Sequence, residues 1–208
     1  MIRYFFVANF INNGISDYLN LIKFIAEPKN FSFVHITLKG PFVTKQKTQL
    51  KKIKRELEHK EIKITEIGNF FEYHQNTVFF KFERDEELYE IWKSKTDRTY
   101  KTYNPHITIY DGADSDFSKD LYNLFKDIEI HTKLKIEEID MYSKLRKNEI
   151  FHFDDINFNL LKYLDKDLNL NNRQDILNYF QNLEYKKKLN YIKIISEKLI
   201  KELDLEKH

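Results

Sequence analysis

One phrase occurs twice in the chain. Phe33-Val34-His35-Ile36-Thr37-Leu38-Lys39-Gly40-Pro41-Phe42 sets His-Ile-Thr inside an apolar, β-leaning run. Asn104-Pro105-His106-Ile107-Thr108-Ile109-Tyr110 does so again, its histidine 71 positions further on. The same offset lays the strand-like segment 4–10 over 75–81 and the helix-like segment 16–26 over 87–97, and sets Tyr18 on Tyr89. Both halves therefore read strand, helix, His-Ile-Thr strand. An internal repeat of this kind narrows the fold more than any single motif. It calls for two like half-domains, each lending one equivalent strand to a shared site.

In a strand, residues i and i+2 share a face. His35 with Thr37, and His106 with Thr108, project together, while Ile36 and Ile107 turn to the core. Two such strands side by side offer two imidazoles and two hydroxyls to one cleft. That set is sufficient to flank a phosphate, since hydroxyls donate to its oxygens and imidazoles move protons. A single His-x-Thr would be an ordinary core histidine; the matched pair is what points to a site.

Other segments fill in the frame. Ser16 reads as a helix N-cap, with the helix ending near Pro28, and Gly40-Pro41 reads as the stop of the strand 31–38. A lysine-rich amphipathic helix is expected over 48–60, a hairpin over 62–72 and 76–83, and helices over 85–97 and 118–127. Residues 134–143 and 149–153 read as a second hairpin, turning at Arg146-Lys147-Asn148. From about 157 the apolar spacing is helical throughout (Leu160, Leu161, Leu164, then Ile176, Leu177, Phe180, then Ile192, Ile195, Leu199), which marks 157–208 as a helical C-terminal extension of 1–156. Three roles stand open for that tail: capping the cleft, oligomerisation, or packing against the core.

Composition sets the outer bounds. With no cysteine among 208 residues, disulfides, thiolate metal sites and a cysteine nucleophile are excluded. Lys plus Arg (35) nearly balance Asp plus Glu (33), so bulk charge exerts no strong pull toward nucleic acid. The run Tyr4–Ile11 is broken by Asn9 and lacks the lead-in and cleavage site of a signal peptide, so a cytoplasmic protein without a membrane partner is expected.

At the paired motifs HITL and HITI the sequence resembles the two-histidine (2H) phosphoesterase superfamily, which includes 2′-5′ RNA ligase-like proteins and 2′,3′-cyclic nucleotide phosphodiesterases. Gly40-Pro41-Phe42, Pro105 and the segment Ile139-Asp140-Met141-Tyr142-Ser143 add to the likeness, which covers about residues 1–156. The resemblance implies a bilobal α+β fold with pseudo-twofold symmetry, its antiparallel sheets lining a central cleft, here followed by the helical extension. It implies His35 and His106 as the catalytic pair and Thr37 and Thr108 as the phosphate-holding hydroxyls, with no cofactor and no metal required.

A free imidazole titrates near pH 6.5, so near neutrality one ring can serve as base and the other as acid. Around this centre, Phe42, Tyr103 and Tyr110 are candidates to stack on a base, and Lys39, Arg98 and Lys101 to meet flanking phosphates. The lysines from Lys45 to Lys63 fit either an RNA track or a merely solvated helix face. His59, His74, His131, His152 and His208 lack a partner motif and read as structural or surface residues. The expected substrates are RNA ends or small nucleotides bearing a 2′,3′-cyclic phosphate. The alternatives are 2′-5′ linked or cyclic oligonucleotide messengers, and a non-catalytic RNA-binding module of the same fold.

Overall fold

A computed structural model describes residues 2–10, 14–30, 32–93, 105–128, 130, 132–143, 156–164 and 172–205. Seven strands form one antiparallel sheet: β1 (Tyr4–Asn9), β2 (His35–Phe42), β3 (Glu61–Asn69), β4 (Thr77–Phe82), β5 (His106–Asp111), β6 (Thr132–Lys135) and β7 (Glu138–Ser143). Their order across the sheet is β6-β3-β4-β5-β2-β1-β7. The α-helices among the described residues are α1 (Gly14–Ala26), α2 (Lys47–Leu57), α3 (Glu86–Lys93), α4 (Ser115–Phe125), α5 (Arg173–Gln181) and α6 (Tyr185–Leu205), giving an α+β protein.

The repeat surfaces as β1-α1-β2 and β4-α3-β5. The two His-Ile-Thr strands are the central pair of the sheet, joined through Ile36 and Ile107. Where the sequence suggested two sheets lining a cleft, a single sheet runs through both halves. Both isoleucines are fully buried, so the seam between the halves is an apolar stitch.

The segment 134–143 is not one arm of a hairpin. It is divided between β6 and β7, which lie on opposite edges of the sheet with only Ile136 and Glu137 between them. Opposite edges can be spanned so briefly only because the sheet curls into a half-barrel. Backbone bonds close the gap, from Ile136 N to Lys60 O (2.9 Å) and from Glu137 N to Asn9 O (3.0 Å). The second arm of that expected hairpin, 149–153, lies outside the described residues.

Several boundaries also shift. α1 already runs at Gly14, so Ser16 is a buried residue within the helix and not its cap. β2 continues through Gly40-Pro41 to Phe42, because it meets β1 across register irregularities that tolerate a residue with no N–H. Gly40 has φ +137°, and a Cβ there would stand 2.8 Å from the carbonyl oxygen of Tyr4, so both the conformation and the close approach require glycine. Helix α4 starts at Ser115, three residues ahead of the expected start. Asp114 is its cap, accepting from Asp116 N (3.0 Å) and Phe117 N (2.9 Å).

α1 buries eleven of its thirteen residues. A helix lying on a sheet hides one stripe only, so a second layer must cover α1, and the tail supplies it. Phe24 meets Phe158 at 5.6 Å and Phe180 at 5.3 Å, both edge-on. Phe180, Ile192, Ile195 and Leu199 belong to the same apolar cluster as Phe6, Ile36 and Ile107. Among the described residues, no helix is long and apolar enough to cross a membrane.

Candidate active site

Cross-strand register assembles the site. In an antiparallel ladder, residues directly opposite one another share a face. With Ile36 across from Ile107, His35 stands opposite Thr108 and Thr37 opposite His106. All four side chains therefore occupy one face, away from Ile36, Ile107 and Ile109, which are fully buried on the other. Each histidine faces the threonine of the other half, and the two histidines lie on a diagonal, about 7–8 Å apart at the backbone. A tetrahedral phosphate seated between them would have a proton-transfer group on either side and a hydroxyl beside each.

The flanking strands extend the same symmetry. On β1, Asn9 pairs with His35 and Val7 with Thr37; on β4, Lys81 pairs with His106 and Phe79 with Thr108. Val7 and Phe79, almost fully buried, form the floor.

His35 is oriented from α1. Asn20, buried on that helix, accepts from Val34 N at 2.7 Å, and Lys23 donates to Ser32 Oγ at 3.0 Å. These bonds fix residues 32–34, and the carbonyl of Phe33 in turn accepts from His35 Nδ1 at 2.7 Å. A carbonyl only accepts, so Nδ1 carries the hydrogen in the neutral ring and Nε2 carries the lone pair. Tyr142 of β7 reaches the same ring, with centroids 6.4 Å apart. Burial raises the Tyr142 phenol above its ordinary value, which keeps it a neutral O–H donor at physiological pH. Tyr142 is the residue that sequence reading left out of the site. Its signal was the alternation with Ile139 and Met141, which turns Asp140 and Tyr142 to the histidine face.

His106 has different surroundings. Its ring packs at 4.6 Å on Phe79 and edge-on at 5.4 Å to Phe70, and those two rings touch at 4.5 Å. Gly68 makes room for this stack, because a Cβ at that position would fall 2.6 Å from the Phe79 ring and 2.8 Å from the Lys81 side chain. Gly68→Ala should drive Phe79 toward His106, costing about 1–3 kcal/mol of stability by overpacking. Thermal melts of the variant beside the wild type would read that loss.

Lys81, opposite His106, pairs with Glu66 at 2.7 Å. On the His35 side, Asn9 is 2% exposed and its Oδ1 has no hydrogen-bond partner among the described residues. Beyond it on β7, partial burial, with Asp140 nearby, raises the Glu138 carboxyl above its ordinary value.

The outer candidates fall elsewhere. Phe42 ends β2 with its ring 4.9 Å from Phe6. Lys39 is buried and donates to the carbonyl of Ile91 in α3 at 3.2 Å. Tyr110 is buried against Phe117 of α4, its hydroxyl accepting from Asp114 N at 3.1 Å. None of these three is brought to the His/Thr face. Arg98, Lys101 and Tyr103 lie outside the described residues, as do His131, His152 and His208. His59 and His74 occupy left-handed turn positions. Among the described residues, no cluster of three or more His, Asp or Glu is placed to hold a metal ion. The chain matches no family model and has no significant match among curated proteins.

Proposed function

We propose that this chain is a phosphodiesterase of the two-histidine phosphoesterase type, hydrolysing 2′,3′-cyclic phosphates on RNA ends or small nucleotides. The observation that carries the reading is the diagonal of His35 and His106 across the β2–β5 seam, with each ring opposite the threonine of the other half. A pure binding module has no use for a matched proton acceptor and donor on either side of one phosphate.

In the reaction, water attacks phosphorus and passes its proton to the neutral imidazole. The bond from phosphorus to one ribose oxygen breaks, and that oxygen takes the proton held by the other imidazole. One P–O bond forms, one breaks, and the pair of histidines ends with its proton on the opposite ring. Thr37 and Thr108 donate to the non-bridging oxygens as charge builds there.

Four results test the reading. Hydrolysis of a 2′,3′-cyclic mononucleotide should follow a bell-shaped pH profile, falling on the acid side as the base is protonated and on the alkaline side as the acid loses its proton. It should also survive EDTA. Thr37→Val or Thr108→Val should each lower kcat about 10-fold, the effect of losing one hydrogen bond to phosphate in the transition state. Mass spectrometry of products from a cyclic-phosphate-ended RNA reports bond and regiochemistry together, and an intact cyclic end after prolonged incubation would refute the assignment.

A further inference from the structure

A groove of about 440 Å³ runs along the β7 edge of the sheet, between α2 and the start of β1. Lys45, Lys47, Lys51 and Lys54 line it on the helix side, with Leu50 between them, and Tyr4, Asp140 and Met141 form the opposite wall. Asp140 is the single carboxylate of the lining, and Lys54 stands 3.7 Å from it. Among the described residues, Lys47 and Lys51 make no ion pair, and Lys45 lies 6.0 Å from the centre of the Tyr4 ring. The groove therefore carries net positive charge over a partly apolar floor.

Two further features suit an anion there. Lys47 opens α2, whose cap residue Gln46 makes no side-chain cap bond and whose first turn holds no acidic residue. Cations at a helix N-terminus oppose its dipole, so this placement works against α2 unless a polyanion is present. The groove meets the histidine face at the β7 edge, through Asp140, while Leu50 and Met141 of its lining pack with the core on the other face. Asp140 pairs with Val7, and Val7 with Thr37, so the groove wall lies two strand spacings, about 10 Å, from a phosphate-holding threonine. Tyr142, two residues further along β7, touches the His35 ring.

Building on the function proposed above, we infer that this groove holds the single-stranded RNA chain leading to a terminal cyclic phosphate, so that the preferred substrate is an oligonucleotide end rather than a free nucleotide. Single strands are held by lysines on successive phosphates and by apolar or aromatic surface under the bases, and the lining supplies both. An acidic membrane or an acidic protein would match the charge but would not place a cyclic phosphate at Thr37.

The test compares wild type with Lys47→Glu/Lys51→Glu on a 2′,3′-cyclic mononucleotide and on a short single-stranded RNA with the same terminus, at low and high salt. Glutamate at these positions complements the helix dipole, so the variant should fold, and circular dichroism checks it. Wild type should favour the RNA, and the variant should lose about 10-fold or more in kcat/KM on RNA at low salt, with the mononucleotide unaffected. Its salt slope on RNA should become shallower by about 0.7 for each lysine removed. Unchanged kinetics on both substrates, or an equal fall on both, would overturn the groove assignment while leaving the catalytic one. Absence of turnover on either substrate would instead remove the proposed function. Fluorescence anisotropy with labelled RNA then decides the groove alone: binding that the substitutions leave intact, or binding of anionic phospholipid vesicles in place of RNA, overturns it.

Discussion

Replacing His35 or His106 with alanine should lower turnover of a 2′,3′-cyclic phosphate by about 10² to 10⁴-fold, the usual worth of a positioned acid or base. Both rings are only half-buried and sit on the face away from the helices, so the fold should survive either change. Among the described residues, His35→Ala removes a bond to the Phe33 carbonyl, which Lys23 also approaches at 3.5 Å, and the ring contact with Tyr142. His106→Ala removes a ring packed on Phe79 and Phe70 and should destabilise somewhat more. Because the rings act on one proton circuit, the double variant should be little slower than either single one. Near-wild-type turnover in either single variant, with thermal melts showing both folded, would end the two-histidine reading.

The shared face of the four His and Thr side chains is legible in the sequence because it rests on the simplest periodicity of a strand. Alternation alone sends Ile36 and Ile107 inward and His35, Thr37, His106 and Thr108 outward, and the repeat pairs the strands. What alternation cannot convey is which strand lies beside which. Tyr142 was missed for that reason: 134–143 reads as one extended arm, and only the curl of the sheet divides it and brings β7 alongside β1.

Closeness in sequence misleads for a related cause. Five residues along a strand span about 16 Å, so Phe42 ends far from Thr37. Register irregularities on either side of the site change which face a nearby residue takes. Lys39 follows one between β1 and β2 and turns to α3, and Tyr110 follows one between β4 and β5 and turns to α4. The pinning of residues 32–34 by Asn20 and Lys23 had no signal at all, since polar residues on a helix ordinarily mark its solvent face. Only a helix covered on both sides turns them inward.

That two-sided covering gives the second large effect. Removing 158–208 should leave a chain without a cooperative folding transition, rather than a smaller working enzyme. The tail contributes Leu161, Ile176, Phe180, Tyr191, Ile192, Ile195 and Leu199, all nearly or fully buried, to the common core. At about 1.5–3 kcal/mol for each large apolar side chain withdrawn from water, their combined loss equals or exceeds the whole stability of most domains, about 5–15 kcal/mol. It would also bare Phe24 and much of α1, the helix that orients His35. A milder change measures the same interface without abolishing the fold. Phe24→Ala should cost about 3–5 kcal/mol in urea unfolding, since Phe24 is fully buried between Phe158 and Phe180. The slope of free energy against urea should not change if the native layers stay in place. A truncated chain that unfolds cooperatively and turns over substrate would show that the sheet and α1 are sufficient. The burial of α1 on both sides argues that they are not.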